Sequence, residues 1–272
     1  MPQTTYLEDR AVIPVSGPDA FSLMQGLVTV DMDRLDDQPC VFGGLLSPQG
    51  KIQFDFFIHK EKEGKEELLI DIDGTLAAGF LKRMMLYRLR SKVDIGPISE
   101  SHFVEVSWGA DVSGASPDPR LEAMGQRQIV QEKLEANATP DDYHAHRTAL
   151  GIPEAGKDFA LNDIFPHDAM MDSLHGVDFA KGCYVGQEVV SRMKHRGTAR
   201  KRFFIASGAE QFPEAGEALT RDGKSIGTLG AHFGGRALAL VRTDRLGDEL
   251  TVDGSTGTMT LEPVTYTRSE PA

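Results

Sequence analysis

"CVFGGLLSPQGKIQFDFFIHK", residues 40–60, is a pattern from which the class of fold can be inferred. Two apolar segments flank Ser47-Pro48-Gln49-Gly50, and proline and glycine in this arrangement are typical of a tight turn. The pattern predicts two antiparallel strands joined as a hairpin. In the second strand, the apolar residues 52, 54, 56 and 58 form one row, so Asp55 points to the opposite face.

The segments around this hairpin predict an α+β fold. Strands are expected at 11–15, 66–73 and 102–108, and helices at 75–92 and 139–151. From about residue 200 the chain changes to short alternating segments with glycine turns, which is typical of a small β-barrel or sandwich. We therefore predict an α+β region at 1–198, made of two interlaced subdomains with an internal boundary near 95. A C-terminal β domain is expected at 199–272.

Composition and charge limit the classes of function. The chain has 272 residues and a formal net charge of −12, and no apolar run reaches the length of a membrane span. Residues 1–10 have no signal-peptide pattern, which predicts a cytoplasmic protein. We expect neither a nucleic acid nor a membrane as partner. The basic stretch 192–202 is either a solvated surface or a docking site for a small anion or an acidic partner.

The two cysteines, Cys40 and Cys183, lie far apart in the sequence. This separation excludes a CxxC pair and a four-cysteine metal site within one chain, so no metal site is predicted. Cys183 follows Lys181, lies between Gly182 and Gly186, and precedes a helical pattern. A thiolate is favoured at such a place, but a small apolar residue that fills a turn fits the pattern as well.

The stretch KGCYVGQE (181–188) resembles the motif K-G-C-Y-x-G-Q-E of the YgfZ family of folate-binding proteins, which are related to the glycine cleavage T-protein, GcvT. Segments at 24–32, 45–58, 117–127, 143–158 and 165–174 agree with the wider superfamily in the same order. The resemblance implies a GcvT-like ring of α+β subdomains around a central cavity for tetrahydrofolate, followed by a small C-terminal β-barrel.

The resemblance also implies roles for particular residues. Asp55 matches a carboxylate that faces the folate and assists catalysis, although Phe54 replaces the first acid of the usual Asp-Asp pair. The alternative is that Asp55 lies on the wet face of an edge strand. Asp168, in FPHD, matches a residue that binds the pterin ring, and its carboxylate can accept two donors at once. Cys183 is the expected catalytic thiol.

Further folate contacts are expected around the same motif. Tyr184 can stack on a flat ring or belong to the core. Basic residues near the motif would attract the glutamate tail of folate; the candidates are Lys181, Arg192 and Arg202.

Three functions follow from the resemblance. The first is a tetrahydrofolate-binding protein that supports assembly or repair of iron–sulfur clusters, with iron–sulfur assembly proteins or client enzymes as partners. The second is an aminomethyltransferase or another folate-dependent one-carbon transferase, which the loss of the first acid at Phe54 disfavours. The third is a folate-dependent demethylase or oxidase domain, which the absence of a GxGxxG motif disfavours.

Overall fold

The computed structural model describes residues 1–61, 67–110, 116–197, 200–246 and 251–266, with the side chain of Arg196 excepted. It shows an α+β region followed by a closed β-barrel, which confirms the predicted fold class. The predicted domain boundary near 198 falls on residues outside the described part of the chain. The first barrel strand begins at Lys201.

The N-terminal part is built on a five-stranded sheet in the order β3-β4-β5-β2-β6. Its elements are β2 (Arg10–Ser16), α1 (Ala20–Leu27), β3 (Cys40–Leu46), β4 (Ile52–Lys60), β5 (Glu67–Asp73), α2 (Gly74–Arg88) and β6 (Asp94–Ile95). The hairpin predicted at 40–60 is confirmed as β3 and β4, with Gly44 opposite Asp55. The sequence offers Thr75 as a cap for α2, but Asp73 is the cap, because its side chain accepts a hydrogen bond from the Thr75 backbone N–H at 2.9 Å.

A second unit is built on a three-stranded sheet in the order β1-β7-β8. Its elements are β1 (Gln3–Tyr6), β7 (Phe103–Trp108), β8 (Gln126–Val130) and α3 (Pro140–Ala149). The first strand of the chain therefore belongs to the sheet of the second unit, since β1 pairs with β7. Thr139 caps α3 and Pro140 occupies the first turn, as these residue types in this order predict. The structure adds that Thr139 and Asp142 form a capping box. The Gly, Pro, Ser and Asp content of residues 109–127 predicts a stretch that is largely loop, and residues 111–115 of it lie outside the described residues.

The C-terminal strands close into a six-stranded barrel in the order β10-β11-β12-β9-β14-β13. Helix α4 (Gln187–Arg196) leads into it, and the barrel elements are β9 (Lys201–Ser207), β10 (Ala218–Arg221), β11 (Lys224–Phe233), β12 (Arg236–Arg242), α5 (Thr243–Leu246), β13 (Thr251–Gly254) and β14 (Gly257–Pro263). Apolar side chains of all six strands fill the barrel interior. Closure leaves the sheet without free edges.

The five-stranded sheet has two buried faces, and the face on which a β4 residue lies determines what its side chain contacts. One face packs under α1 and α2, and Phe54 and Phe56 of β4 meet Phe80 of α2 there. The opposite face points toward the second unit and the segment that follows α3, and it carries Asp55 and Phe57. Because strand residues alternate between faces, the regular apolar row of β4 is directed to the helices and Asp55 to the molecular interior.

Candidate functional site

Cys183 is exposed, whereas Cys40 is buried with 1% of its surface accessible. Cys183 lies on a short loop that ends where α4 begins at Gln187, and Gly182 before it is also exposed. The alternative that Cys183 fills space in a buried turn is therefore wrong. The structure instead presents this thiol to solvent.

The loop that carries Cys183 is held from its N-terminal side by Asp178. One carboxylate oxygen of Asp178 accepts hydrogen bonds from the backbone N–H groups of Ala180 at 2.8 Å and Lys181 at 3.3 Å. The other oxygen receives the guanidinium of Arg34 at 2.8 Å. These bonds fix the chain direction two residues before the thiol.

Lys181 provides a second anchor. Its ammonium donates to the carbonyl oxygens of Gln25 at 2.9 Å, Val28 at 2.7 Å and Val30 at 2.8 Å, which lie in the last turn of α1 and just after it. Burial lowers the pKa of Lys181 to about 8, although Asp31 and Asp178 favour the charged form. The sequence suggested a folate contact for this residue, and its three donors are all directed at the protein backbone.

We expect Lys181→Met to destabilise the fold by about 1–3 kcal/mol, because three buried carbonyls lose their donor. The Cys183 loop should loosen at the same time, so the thiol should react faster with iodoacetamide. Urea unfolding and the alkylation rate measure the two effects. An unchanged unfolding midpoint together with an unchanged alkylation rate would show that the ammonium does not anchor the loop.

The hairpin turn between β3 and β4 supports the other side of the loop. Gly186 has φ +82°, and a Cβ there would come within 2.7 Å of the carbonyl oxygen of Ser47 and 3.0 Å of the Cα of Gly50. Glycine is required at position 186 by both the backbone conformation and this close approach. The KGCYVGQE segment and the SPQG turn therefore form one packed unit.

Asp55 lies in the interior with 5% of its surface accessible. One carboxylate oxygen accepts a hydrogen bond from the Ala155 backbone N–H at 3.0 Å. Burial raises the pKa of Asp55 to about 6, and the nearby carboxylate of Glu154 contributes to the increase. Since β4 lies between β3 and β5, the alternative of a wet face on an edge strand is wrong. Asp55 is instead an internal acid that can hold a proton near neutral pH.

The raised pKa of Asp55 has a defined consequence for stability. Between about pH 4 and pH 6 the native protein keeps a proton that the unfolded chain has lost, so the stability contributed by Asp55 falls as pH rises. Asp55→Asn should remove this loss and stabilise the fold at pH 7 by up to about 3 kcal/mol. Urea unfolding at pH 4 and pH 7 tests this, and an Asn variant less stable than the parent at pH 7 would contradict it.

Glu154 is a buried acid that sequence reasoning missed. Neither of its carboxylate oxygens has a hydrogen-bond partner among the described residues, although the guanidinium groups of Arg120 and Arg147 lie 3.6 Å away. Gln53 Oε1 and Arg120 Nη1 are also buried without a partner in the described structure. Distances of this kind are too long for direct hydrogen bonds, so these groups attract each other as charges while their hydrogen-bonding capacity stays unused within the described structure. Unpaired donors and acceptors beside Asp55 fit a polar ligand.

Asp168 lies in a second polar environment. Its carboxylate is buried, accepts a hydrogen bond from the Phe165 backbone N–H at 3.1 Å, and has its pKa raised by burial. The neighbouring His167 ring is buried with neither nitrogen paired within the described residues, and burial lowers its pKa. No hydrogen bond in the described part of the chain joins Asp168 to Asp55.

The remaining predicted contacts are Arg202, Arg192 and Tyr184, and they lie in different environments. Arg202 donates to the carbonyl of His167, and Lys194 lies 3.8 Å over the ring of Phe179. Arg192 is exposed on α4. Tyr184 is buried and packs with the core, and burial raises its pKa to about 12. The basic stretch thus lies beside the segment that precedes Cys183.

No group of three or more His, Cys, Asp or Glu side chains in the described part of the chain is arranged to hold a metal ion. Within the same residues, no helix has the length and apolar character needed to cross a membrane.

Comparison with known proteins gives a family match for the barrel and relatives for most of the chain. Residues 200–265 match the family described as "CAF17, C-terminal beta-barrel domain". The chain is 34% identical over 227 residues to the mitochondrial iron–sulfur cluster assembly factor IBA57 homolog of Neurospora crassa, an alignment that covers 73% of this chain and 52% of the relative. It is 29% identical over 286 residues to human IBA57, covering 92% of this chain and 80% of the relative.

The alignments cover only part of some of these relatives. The chain spans about half the length of the first of these relatives, 52% for the Neurospora crassa protein and 54% for that of Mycosarcoma maydis.

The prediction of a cytoplasmic location is wrong, because these relatives are named as mitochondrial proteins, which points to the mitochondrion. That prediction rested on the composition of residues 1–10, which does not determine the compartment.

The solved structures include the glycine cleavage system aminomethyltransferase T of Bartonella henselae. It matches with a TM-score of 0.71 at 13% identity and covers 97% of this chain and 85% of that chain. At this identity the likeness shows the fold alone, and it confirms the predicted GcvT-like architecture. The relatives named above are thus iron–sulfur cluster assembly factors of the IBA57 type, and the chain itself has a C-terminal barrel that matches the CAF17 family and a GcvT-like fold.

Proposed function

We propose that this protein is an assembly factor for iron–sulfur clusters and that Cys183 is the thiol on which this function depends. One observation carries the proposal: of the two cysteines, only Cys183 is exposed, and the loop that presents it is anchored on both sides. The names of the homologues support the same function. The partners are iron–sulfur assembly proteins or the enzymes that receive clusters.

The chemistry of the site favours a cluster that this protein and a partner hold together. A thiolate is a soft ligand for iron and a nucleophile toward sulfur species. Cys183 is one thiol, and an iron–sulfur cluster is commonly held by four ligands, so a partner must supply the others. The exposed position of Cys183 allows a partner to approach, and the anchored loop limits the entropy lost on binding.

A complementation experiment tests this function. Cells whose own assembly factor of this kind has been deleted should regain the activity of their iron–sulfur enzymes when they express this chain in mitochondria. Enzymes without clusters serve as the internal reference. Expression of the folded protein without any recovery of the iron–sulfur enzymes would overturn the proposal.

We further propose that tetrahydrofolate binds in the interior of the α+β region. Asp55, Glu154 and Arg120 would offer polar groups to it, and the buried atoms of Glu154 and Arg120 that lack a partner within the described structure fit such a ligand. Asp168 would accept donors from the pterin ring, and Arg192 and Arg202 would attract the glutamate tail. When bound, tetrahydrofolate supplies a carrier for one-carbon units. The residues of this chain orient the ring and hold a proton at Asp55.

Tetrahydrofolate should raise the melting temperature of the purified protein. At about one hundred times its dissociation constant, a ligand stabilises the native state by roughly 2.7 kcal/mol. Asp168→Asn should weaken this response, because a neutral amide is a poorer acceptor for two donors. Asp163→Asn is the matched control, since Asp163 is exposed on the same segment. A parent protein whose melting temperature does not move at millimolar folate would remove folate from the proposal.

One-carbon transfer of the glycine cleavage type is less well supported. Phe54 replaces the first acid of the T-protein pair, and its ring packs edge-on against Phe80 on the helix-covered face of the sheet, 5.6 Å between ring centres. That position is therefore a core position in this chain. Only Asp55 remains to serve an acid–base role.

A further inference from the structure

Helix α2 ends in an exposed apolar surface that is ringed by positive charge. Met85, Leu86 and Leu89 are 52%, 61% and 86% exposed. They are close together on the last turn of the helix and just beyond it. Leu89 has φ +37°, an uncommon conformation for a leucine, and it is the most exposed of the three. We define these three residues as the α2 tip.

The charge around the α2 tip differs from that of the whole protein. The chain has a net charge of −12, yet residues 74–92 contain no Asp or Glu. This stretch contains five cations: Lys82, Arg83, Arg88, Arg90 and Lys92. No ion pair involving these five side chains occurs within the described structure. Salt screens charges that lie more than about 10 Å apart. A nearby anionic group therefore experiences the positive charge of this patch more strongly than the negative charge of the rest of the molecule.

We propose that the α2 tip is a docking site for an anionic lipid surface. Large apolar side chains that project from a helix amid Lys and Arg match the boundary of such a membrane, where acyl chains lie beneath negative headgroups. This inference goes beyond the proposed function. It also differs from the expectation of no membrane partner, which rested on the lack of a membrane-spanning segment.

Other occupants fit the α2 tip less well. A second copy of this chain in a two-fold arrangement would bring like charges together. A protein partner would need an apolar groove with an acidic rim, and three projecting side chains offer far less area than the roughly 800 Å² per partner of a stable interface. A lipid surface supplies both apolar and anionic groups without needing a shaped groove.

Vesicle co-sedimentation of the full chain tests the docking site. The protein should bind vesicles of phosphatidylcholine and phosphatidylglycerol in about equal amounts, and it should not bind vesicles of phosphatidylcholine alone. Leu86→Gln with Leu89→Gln should reduce binding at least about tenfold. Arg88→Gln with Arg90→Gln should do the same and should weaken the dependence on salt.

Two controls separate this site from other effects. Leu134→Gln removes an equally exposed leucine elsewhere, 71% exposed, and should leave binding unchanged. Cys183→Ser should bind vesicles like the parent, so failure of the assembly function and failure of this site give different results. Absence of vesicle binding, or binding that survives both α2 double variants, would overturn the proposal. Capture of polyglutamate through the α2 tip without vesicle binding would assign the surface to an acidic protein instead.

Discussion

Cys183→Ser should abolish the support of iron–sulfur enzymes and leave the fold intact. The side chain is exposed, so serine replaces sulfur without creating a cavity or an unpaired buried hydroxyl, and surface changes of this kind usually shift stability by less than about 0.5 kcal/mol. The hydroxyl of serine does not ionise near neutral pH and is a hard ligand, so it cannot replace a thiolate toward iron or sulfur. Complementation and urea unfolding of the same variant measure the two outcomes.

Cys40→Ser is the matched control, because it makes the same chemical change at a buried position. Cys40 is 1% exposed, and its sulfur lies 3.5 Å from His59 Nε2. A serine hydroxyl, held on a shorter bond, is poorly satisfied there and should cost about 1–3 kcal/mol. At a permissive temperature this variant should still support iron–sulfur enzymes.

The two thiols should also differ in reactivity. In the folded protein iodoacetamide should modify Cys183 first, because Cys40 is enclosed and burial raises the pKa of its thiol well above the usual value. Alkylated peptides identified by mass spectrometry give both rates. A serine variant at position 183 that complements as well as the parent would show that the exposed thiol is not required.

Local sequence patterns predicted the elements of this fold well. The alternation of residues 52–58 predicted β4 and the direction of Asp55, since strand periodicity depends only on neighbouring residues. Thr139 followed by Pro140 and two acids predicted the start of α3 for the same reason. The motif at 181–188 predicted the architecture through a family resemblance. It did not reveal what the lysine of the motif contacts.

Contacts between distant segments were not predictable from single patterns. Lys181 bonds to carbonyls more than 150 positions earlier in the chain. Asp71 forms ion pairs with Arg10, 61 positions away in the sequence, and with Arg127, 56 positions away. The sequence signal for this ion-pair group was Asp71 itself, which lies between two isoleucines in β5, where a strand residue is expected to be buried. Which cations neutralise it depends on the packing of the second unit, which no local pattern encodes.

The second large effect is expected at Asp71, which joins the two α+β units. One carboxylate oxygen receives Arg10 Nε at 2.7 Å from the same sheet, and the other receives Arg127 Nε at 2.6 Å from β8 of the second unit. All three side chains are 0–2% exposed. Burial alone would raise the pKa of Asp71, but the two guanidinium groups outweigh it and hold the pKa well below the usual value.

Asp71→Asn should destabilise the protein by about 3–5 kcal/mol, because two buried guanidinium groups lose their counter-charge. Asp244→Asn is the matched control: it makes the same substitution in an exposed pair with Arg242 at 2.9 Å, where no measurable change is expected. The parent should lose the contribution of Asp71 as pH falls below the unfolded value near 4, since the native carboxylate resists protonation. Urea unfolding between pH 3 and pH 7 tests both statements. Equal midpoints for the two Asn variants at pH 7 would show that Arg10 and Arg127 are neutralised by other groups, and that Asp71 does not hold the two units together.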